Sequence, residues 1–89
     1  MDKDQIAAVR NGLGLNQAEF GQLFGLHSMT ISRWESGYTQ PSPYQIELIK
    51  AFQIASNARD KHWMSELKQL LVGAGIVAAL VFLLAKAGD

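Results

Sequence analysis

Sixteen consecutive residues, 70–85, have neither a charged nor a polar side chain, and this run constrains the fold more than any other feature. A helix built from it is apolar on every side, and such helices are either deeply buried or lie in a membrane. A chain of 89 residues has room for one small domain and little deep core. The chain therefore divides into an N-terminal part of ordinary composition and an apolar C-terminal segment.

Residues 63–85 are predicted to form one long helix, and the preferred explanation is a membrane anchor. Nineteen residues from Leu67 rise about 28 Å, close to the ~30 Å of a hydrocarbon core. Trp63 lies where an interfacial aromatic residue would, and Gly73 and Gly75 are common in membrane helices. Cations are concentrated before the segment, which favours an N-terminal domain in the cytoplasm, held at the inner membrane.

The second explanation is a soluble oligomer in which copies self-associate through residues 63–85. A seam of roughly seven-residue period supports it, formed by Leu67, Leu70 or Leu71, Ala74, Val77 or Ala78, Val81 and Leu84. A dimer built on that seam leaves four apolar residues on the opposite face, with Phe82 close by: Val72, Ile76, Leu80 and Leu83. The remaining alternative is that the segment packs back on its own domain.

Capping residues and apolar spacing predict four short helices within residues 1–58. Asp2 or Asp4 begins the first, and Asn16 with Glu19 three residues later forms a capping box for the second, over 17–24. The third covers 28–35, and the fourth runs from about 43 to 57, starting with a proline. The predicted core residues include Ile31, Trp34, Ile46, Ile49, Phe52 and Ile54.

Two short helices joined by a glycine turn, the second with a polar outer face, form the helix-turn-helix layout. The run LGLNQAEFGQLFGLHSMTISRWESG, residues 13–37, resembles the phage repressor and Cro family, also called the XRE family. The similarity covers roughly residues 5–56 and includes the opening LGLNQ, Gly25 at the turn and the closing TISRWESG. It implies an all-α fold, with a lambda-repressor-like domain of four short helices followed by the long apolar helix.

The resemblance also implies that the third helix lies in the major groove of double-stranded DNA. Arg33 is the strongest candidate for reading bases, because its guanidinium can grip O6 and N7 of guanine together. Gln17 resembles a phosphate-contacting glutamine, whereas His27 is either a turn residue or a DNA contact. The DNA-contacting set carried over by position is Gln17, His27, Ser28, Met29, Thr30, Ser32, Arg33, Tyr38 and Thr39. The family further implies an internal ion pair between Arg10 and Glu35.

The charge of the N-terminal part argues against strong binding by a single copy. Residues 1–58 carry four lysines and arginines and five acidic residues, a net charge of −1, although the whole chain is neutral. Phosphate neutralisation supplies much of ordinary DNA affinity, so we expect pairing on half-sites about one helical turn apart. The rival interpretation is an interaction protein that uses the helix-turn-helix surface to hold a protein partner.

Catalysis and cofactor binding find no support in the sequence. The chain has no cysteine, the two histidines lack metal-ligand spacing, and the N-terminus does not read as a signal peptide. The predicted organisation is a DNA-binding domain over 1–58, a polar hinge and helix start over 59–66, and an apolar helix over 67–86. The predicted function is sequence-specific transcriptional regulation without an enzymatic activity, cofactor or metal.

Overall fold

The computed structural model describes residues 1–57 and 62–88, and the regular structure in these residues is helical. The six helices are α1 (Lys3–Gly12), α2 (Gln17–Gln22), α3 (Ser28–Ser36), α4 (Pro43–Ser56), α5 (Trp63–Gly73) and α6 (Ile76–Gly88). The first four lie where the sequence predicted them, with α2 ending two residues earlier than expected. Of the predicted hinge, Arg59, Asp60 and Lys61 lie outside the described residues.

Local sequence sets the starts of three helices through the same device. The side chain of Asp2 accepts from the backbone N–H of Gln5, and that glutamine's side chain accepts from the backbone N–H of Asp2. Asn16 and Glu19 do the same for α2, and Ser42 and Gln45 for α4. These reciprocal bonds satisfy backbone donors that a helix end leaves unpaired.

One continuous core joins the helices, including the two at the C-terminal end. At its centre four rings from α2, α3, α4 and the residues after α2 pack edge to face, with centroids 5.1–6.4 Å apart: Phe20, Phe24, Trp34 and Phe52. Ile49 is buried as predicted and Ile46 is half-buried. The prediction for Ile54 was wrong, because its side chain is 59% exposed on the outer side of α4.

The single long helix predicted for residues 63–85 is wrong. The chain turns at Ala74 and Gly75 and forms two helices that pack on each other, and α6 also packs on α4. Gly75 has φ +95, a conformation that side-chain-bearing residues rarely adopt, and its N–H donates to the carbonyl of Leu70. Gly75, one of the two glycines interpreted as membrane-helix residues, therefore lies in the turn that separates α5 from α6.

Folding back lets each of the two C-terminal helices bury one side against the rest of the chain. Trp63, Leu67 and Leu71 of α5 and Ala79 and Leu83 of α6 join the common core. This is the arrangement in which the segment packs on its own domain, and Leu67 and Leu71 do not line a seam between copies as the oligomer model required. Among the described residues, no helix is long and apolar enough to cross a bilayer.

Candidate nucleic-acid interface

Helix α3 is held by two buried side chains and presents the rest of its surface outward. Ile31 is fully buried and Trp34 is 3% exposed, with its ring 5.5 Å from that of Phe24 at an interplanar angle of 83°. Their three-residue spacing places both on one side of the helix. On the other side Met29, Ser32 and Arg33 are exposed, and Ser28 and Thr30 are half-buried at its edges.

The turn between α2 and α3 depends on two glycines, Gly21 because a side chain there would not fit and Gly25 because its backbone is left-handed. A Cβ on Gly21 would lie 2.6 Å from the backbone oxygen of Leu26 and 3.4 Å from Ile31. The N–H of Leu26 donates to the carbonyl of Gly21 over 2.9 Å, and Gly25 has φ +69. The backbone of the turn is thereby pressed against α2, which sets the position at which α3 begins.

His27 begins α3 as its N-terminal capping residue. Its Nδ1 accepts a hydrogen bond from the backbone N–H of Met29 over 3.1 Å, and its own backbone is extended. The imidazole nevertheless stays exposed. The sequence interpretation offered a turn residue or a DNA contact, and the structure adds capping, which leaves the ring at the edge of the outward surface of α3.

An ion pair joins α1 to α3 and reaches α2. Arg10 donates through Nε to Glu35 Oε2 over 2.7 Å and through Nη2 to Oε1 over 2.9 Å, while Nη1 donates to the carbonyl of Leu15. Gln17 adds a bond from Nε2 to Glu35 Oε1 over 3.3 Å. The hydrogen bond to Glu35 raises the pKa of Arg10. The network fixes the C-terminal end of α3 relative to both preceding helices.

The segment after α3 folds back onto the last turn of that helix. Gly37 ends the helix with φ +81, and the N–H groups of Tyr38 and Thr39 both donate to the carbonyl of Arg33. Tyr38 is 80% exposed and Thr39 is exposed. Tyr38 and Thr39, two of the predicted DNA-contacting residues, are thus hydrogen-bonded through their backbone to a third, Arg33, and lie beside the outward surface of α3.

A family model described as Helix-turn-helix matches residues 6–51, which cover most of α1, all of α2 and α3 with the turn between them, and the first part of α4. The chain belongs to this family. The match supports a Cro and repressor type of helix-turn-helix protein, and regulators of transcription that bind DNA are what the family contains. No curated protein and no solved structure gives a significant match.

Two cations lie next to the helix-turn-helix surface that sequence reasoning did not assign to it. The aliphatic stem of Lys3 lies against Gly37, 3.3 Å from where a Cβ would be, beside Tyr38. Lys68 of α5 places Nζ 3.9 Å from Glu19 Oε1, near the start of α2. Sequence spacing gives no signal for Lys68, because its position depends on the turn at Gly75 and on the docking of α5.

The outward surface of α3 offers several hydrogen-bonding side chains and one cation, Arg33. Serine and threonine hydroxyls and the imidazole of His27 can donate and accept hydrogen bonds, and the guanidinium of Arg33 can donate them. Arg33 Nη2 lies 3.5 Å from the sulfur of Met29, so the two side chains lie together on the outer side of α3. In the part of the chain that the structure describes, no group of acidic, histidine or cysteine side chains could hold a metal ion.

Proposed function

We propose that the chain is a sequence-specific DNA-binding regulator of transcription that places α3 in the major groove of double-stranded DNA. The observation that carries this proposal is the two-sided character of α3. Ile31 and Trp34 lock one side into the core, while Met29, Ser32 and Arg33 stand free on the other. A rigid helix with a polar outer side is what base reading in the major groove requires.

Arg33 is assigned the main base contact and the surrounding residues support it. Its guanidinium can form two parallel hydrogen bonds with guanine, which no other side chain on the outer surface of α3 can do. Ser28, Thr30 and Ser32 are assigned to base edges or adjacent phosphates, and Met29 to a thymine methyl group. Gln17, His27, Tyr38 and Thr39 flank α3 and are assigned to backbone contacts, which fix the register of the helix on the duplex.

We further propose that the regulator acts as a dimer or higher oligomer. The net charge of −1 over residues 1–58 means that one copy gains little from counterion release. Two copies on neighbouring half-sites add their contacts without needing additional cations in each domain. Self-association within residues 63–85 is the proposed means, with the working protein in the cytoplasm, where bacterial or phage DNA lies.

Selection of oligonucleotides from a random pool, followed by titration of the enriched site, tests the proposal. We expect Arg33→Ala to weaken binding by about 1–3 kcal/mol and to relax preference at one base pair. Lys50→Ala is the matched control, because Lys50 is an exposed cation of α4 paired with Glu47, and it should leave both measurements unchanged. The absence of any enriched motif with the oligomeric protein would refute the assignment.

The low positive charge favours one other function, a protein-interaction module built on the same surface. Added salt separates the two. DNA binding should lose affinity with a log–log slope of about −0.9 for each phosphate neutralised, whereas a protein interface dominated by apolar and neutral polar contacts responds weakly. A saturable protein partner whose binding depends on Arg33, combined with salt-insensitive affinity, would support the interaction module instead.

A further inference from the structure

One side of α6 is apolar and largely exposed from Ile76 to Leu84, with Leu80 partly buried against the core. We define the α6 ridge as Ile76, Val77, Leu80, Val81 and Leu84, which repeat at intervals of three and four residues and so share one side of the helix. Val77 is 76% exposed and Val81 63%, while Ala79 and Leu83 on the opposite side are fully buried. The ridge carries no charge, and the cation of this helix, Lys86, lies over the Phe82 ring at 5.5 Å.

A groove of about 290 Å³ runs beside the ridge, between α6 and the start of α4. Leu80 and Leu84 form one wall, and Leu48 and Tyr44 of α4 face them. The rest of the lining comes from Leu23 and Phe24, which follow α2, and from the polar side chains of Ser42 and Gln45. Tyr44 is 73% exposed at the rim. The ridge and the groove are therefore neighbours on one surface and share two leucines.

We propose that a second copy of this chain occupies the surface, with the α6 ridge of each copy set into the groove of the other. The proposal rests on the oligomeric regulator proposed above and names its interface. A ridge beside a groove is self-complementary, since a two-fold axis between two copies places each ridge against the partner's groove. The absence of charge from the ridge means that pairing with itself brings no like-charge repulsion.

The exposed area matches what a dimer of moderate size needs. Taking an exposed aliphatic side chain as on the order of 100 Å² and a tyrosine as about 200 Å², the ridge and Tyr44 expose on the order of 400 Å² of apolar surface. A standard interface buries about 800 Å² on each partner, roughly two thirds of it apolar in homodimers. Ridge, rim and groove together supply most of that.

The residues of the α6 ridge are distinct from the proposed DNA-contacting residues, and the charge pattern of α6 favours a second copy over a lipid surface. An amphipathic helix that rests on anionic lipid carries lysines or arginines along its polar side. Here Lys86 is folded over Phe82, which leaves α6 without that pattern.

Sedimentation equilibrium of the full chain without DNA, with Val81→Lys and Val72→Lys as a charge-matched pair, tests the interface. Val72 is 84% exposed on α5, outside the ridge. We expect Val81→Lys to raise the dimer dissociation constant at least about ten-fold, because it would bury an unpaired charge, and Val72→Lys to leave it unchanged. Circular dichroism establishes that both variants fold.

A crosslinking arm covers the case in which Val81→Lys does not fold. The chain lacks cysteine, so Val81→Cys and Val72→Cys each introduce a single thiol. A short bismaleimide should link two copies of Val81→Cys into a covalent dimer, while Val72→Cys stays monomeric. Equal crosslinking of the two variants would overturn the proposed interface.

The remaining outcomes separate this inference from the proposed function. A chain that is monomeric up to about 100 μM yet enriches a DNA motif overturns the interface and leaves the regulator standing. Ridge-dependent dimers that enrich no motif support the interface and refute the regulator. Flotation of a monomeric chain with phosphatidylglycerol vesicles, abolished by Val81→Lys, would replace the second copy with a lipid surface.

Discussion

Removing Arg10 should destabilise the fold more than removing any exposed cation, because it leaves a carboxylate in a half-closed site. Arg10 and Glu35 share two hydrogen bonds of 2.7 and 2.9 Å, and their side chains are 16% and 11% exposed. Breaking a buried pair by deleting one partner costs about 3–5 kcal/mol, and the residual exposure together with the bond from Gln17 reduces this to about 2–3 kcal/mol.

Urea denaturation of Arg10→Met, Glu35→Gln and the double variant measures the effect. Methionine keeps most of the apolar stem, and glutamine keeps the shape of the glutamate. With a denaturant slope of about 1.5 kcal/mol/M for a chain of this size, Arg10→Met should lower the urea midpoint by about 1.3–2 M. The double variant should lose less than the two single losses added together, with a coupling energy of about 2 kcal/mol.

Lys50→Met is the control for the loss of a lysine or arginine charge. Lys50 and Glu47 lie 3.5 Å apart with side chains 56% and 73% exposed, and exposed pairs contribute little, so its midpoint should match that of the parent. The hydrogen bond to Glu35 raises the pKa of Arg10, so the contribution of the Arg10 charge is present below the ordinary pKa of arginine and declines as the pH rises through the raised pKa. A coupling energy near zero, or equal midpoints for Arg10→Met and the parent, would refute the reasoning.

Three other predictions concern the turn and the flanking cation. Gly21→Ala should cost about 1–3 kcal/mol in urea denaturation, because its Cβ meets the Leu26 carbonyl at 2.6 Å, and an unchanged midpoint would show that the turn can relax. His27→Asn should keep the thermal midpoint, since asparagine caps well, while His27→Ala lowers it; a loss of DNA affinity in a fully folded His27→Asn would identify the imidazole as a DNA contact. Lys68→Gln should weaken binding to all DNA sequences alike and reduce the salt slope by about one, and a slope equal to that of the parent would place Lys68 off the DNA.

Much of the helix-turn-helix unit could be predicted because its determinants are local. Asn16 and Glu19 specify the start of α2 within four residues, and the spacing of Ile31 and Trp34 specifies the inner side of α3. The outward side of α3 then follows, because the positions that are not buried against the core are left at the surface. Such predictions depend only on residues a few positions apart in one helix, so the sequence alone is sufficient for them.

The C-terminal segment could not be predicted because its determinants are tertiary. Gly75 is compatible with a membrane helix and with a left-handed turn, and the flanking residues are equally apolar in both cases. The choice between these two conformations is made by contacts that are distant in sequence. Helix α6 packs on α4, and Met64 of α5 lies against Gly14 in the loop after α1. The position of Lys68 depends on the same tertiary contacts, because Lys68 lies near Glu19 only when α5 is docked on the N-terminal helices.

Docking of the α5–α6 hairpin relates stability to function in this chain. A domain of about sixty residues buries only about 60% of its unfolded surface and is marginally stable, so the buried residues of α5 and α6 enlarge a core that α1–α4 would otherwise complete alone. A helix that docks on the surface of a domain buries only one of its sides. Docking of α6 therefore covers Ala79 and Leu83 and leaves Val77 and Val81 exposed to water. A contiguous apolar surface is unfavourable in water and becomes favourable when a partner covers it. A helix-turn-helix protein of low positive charge also gains DNA affinity when two copies bind together. The run that enlarges the core thereby also supplies the surface by which we propose that two copies meet.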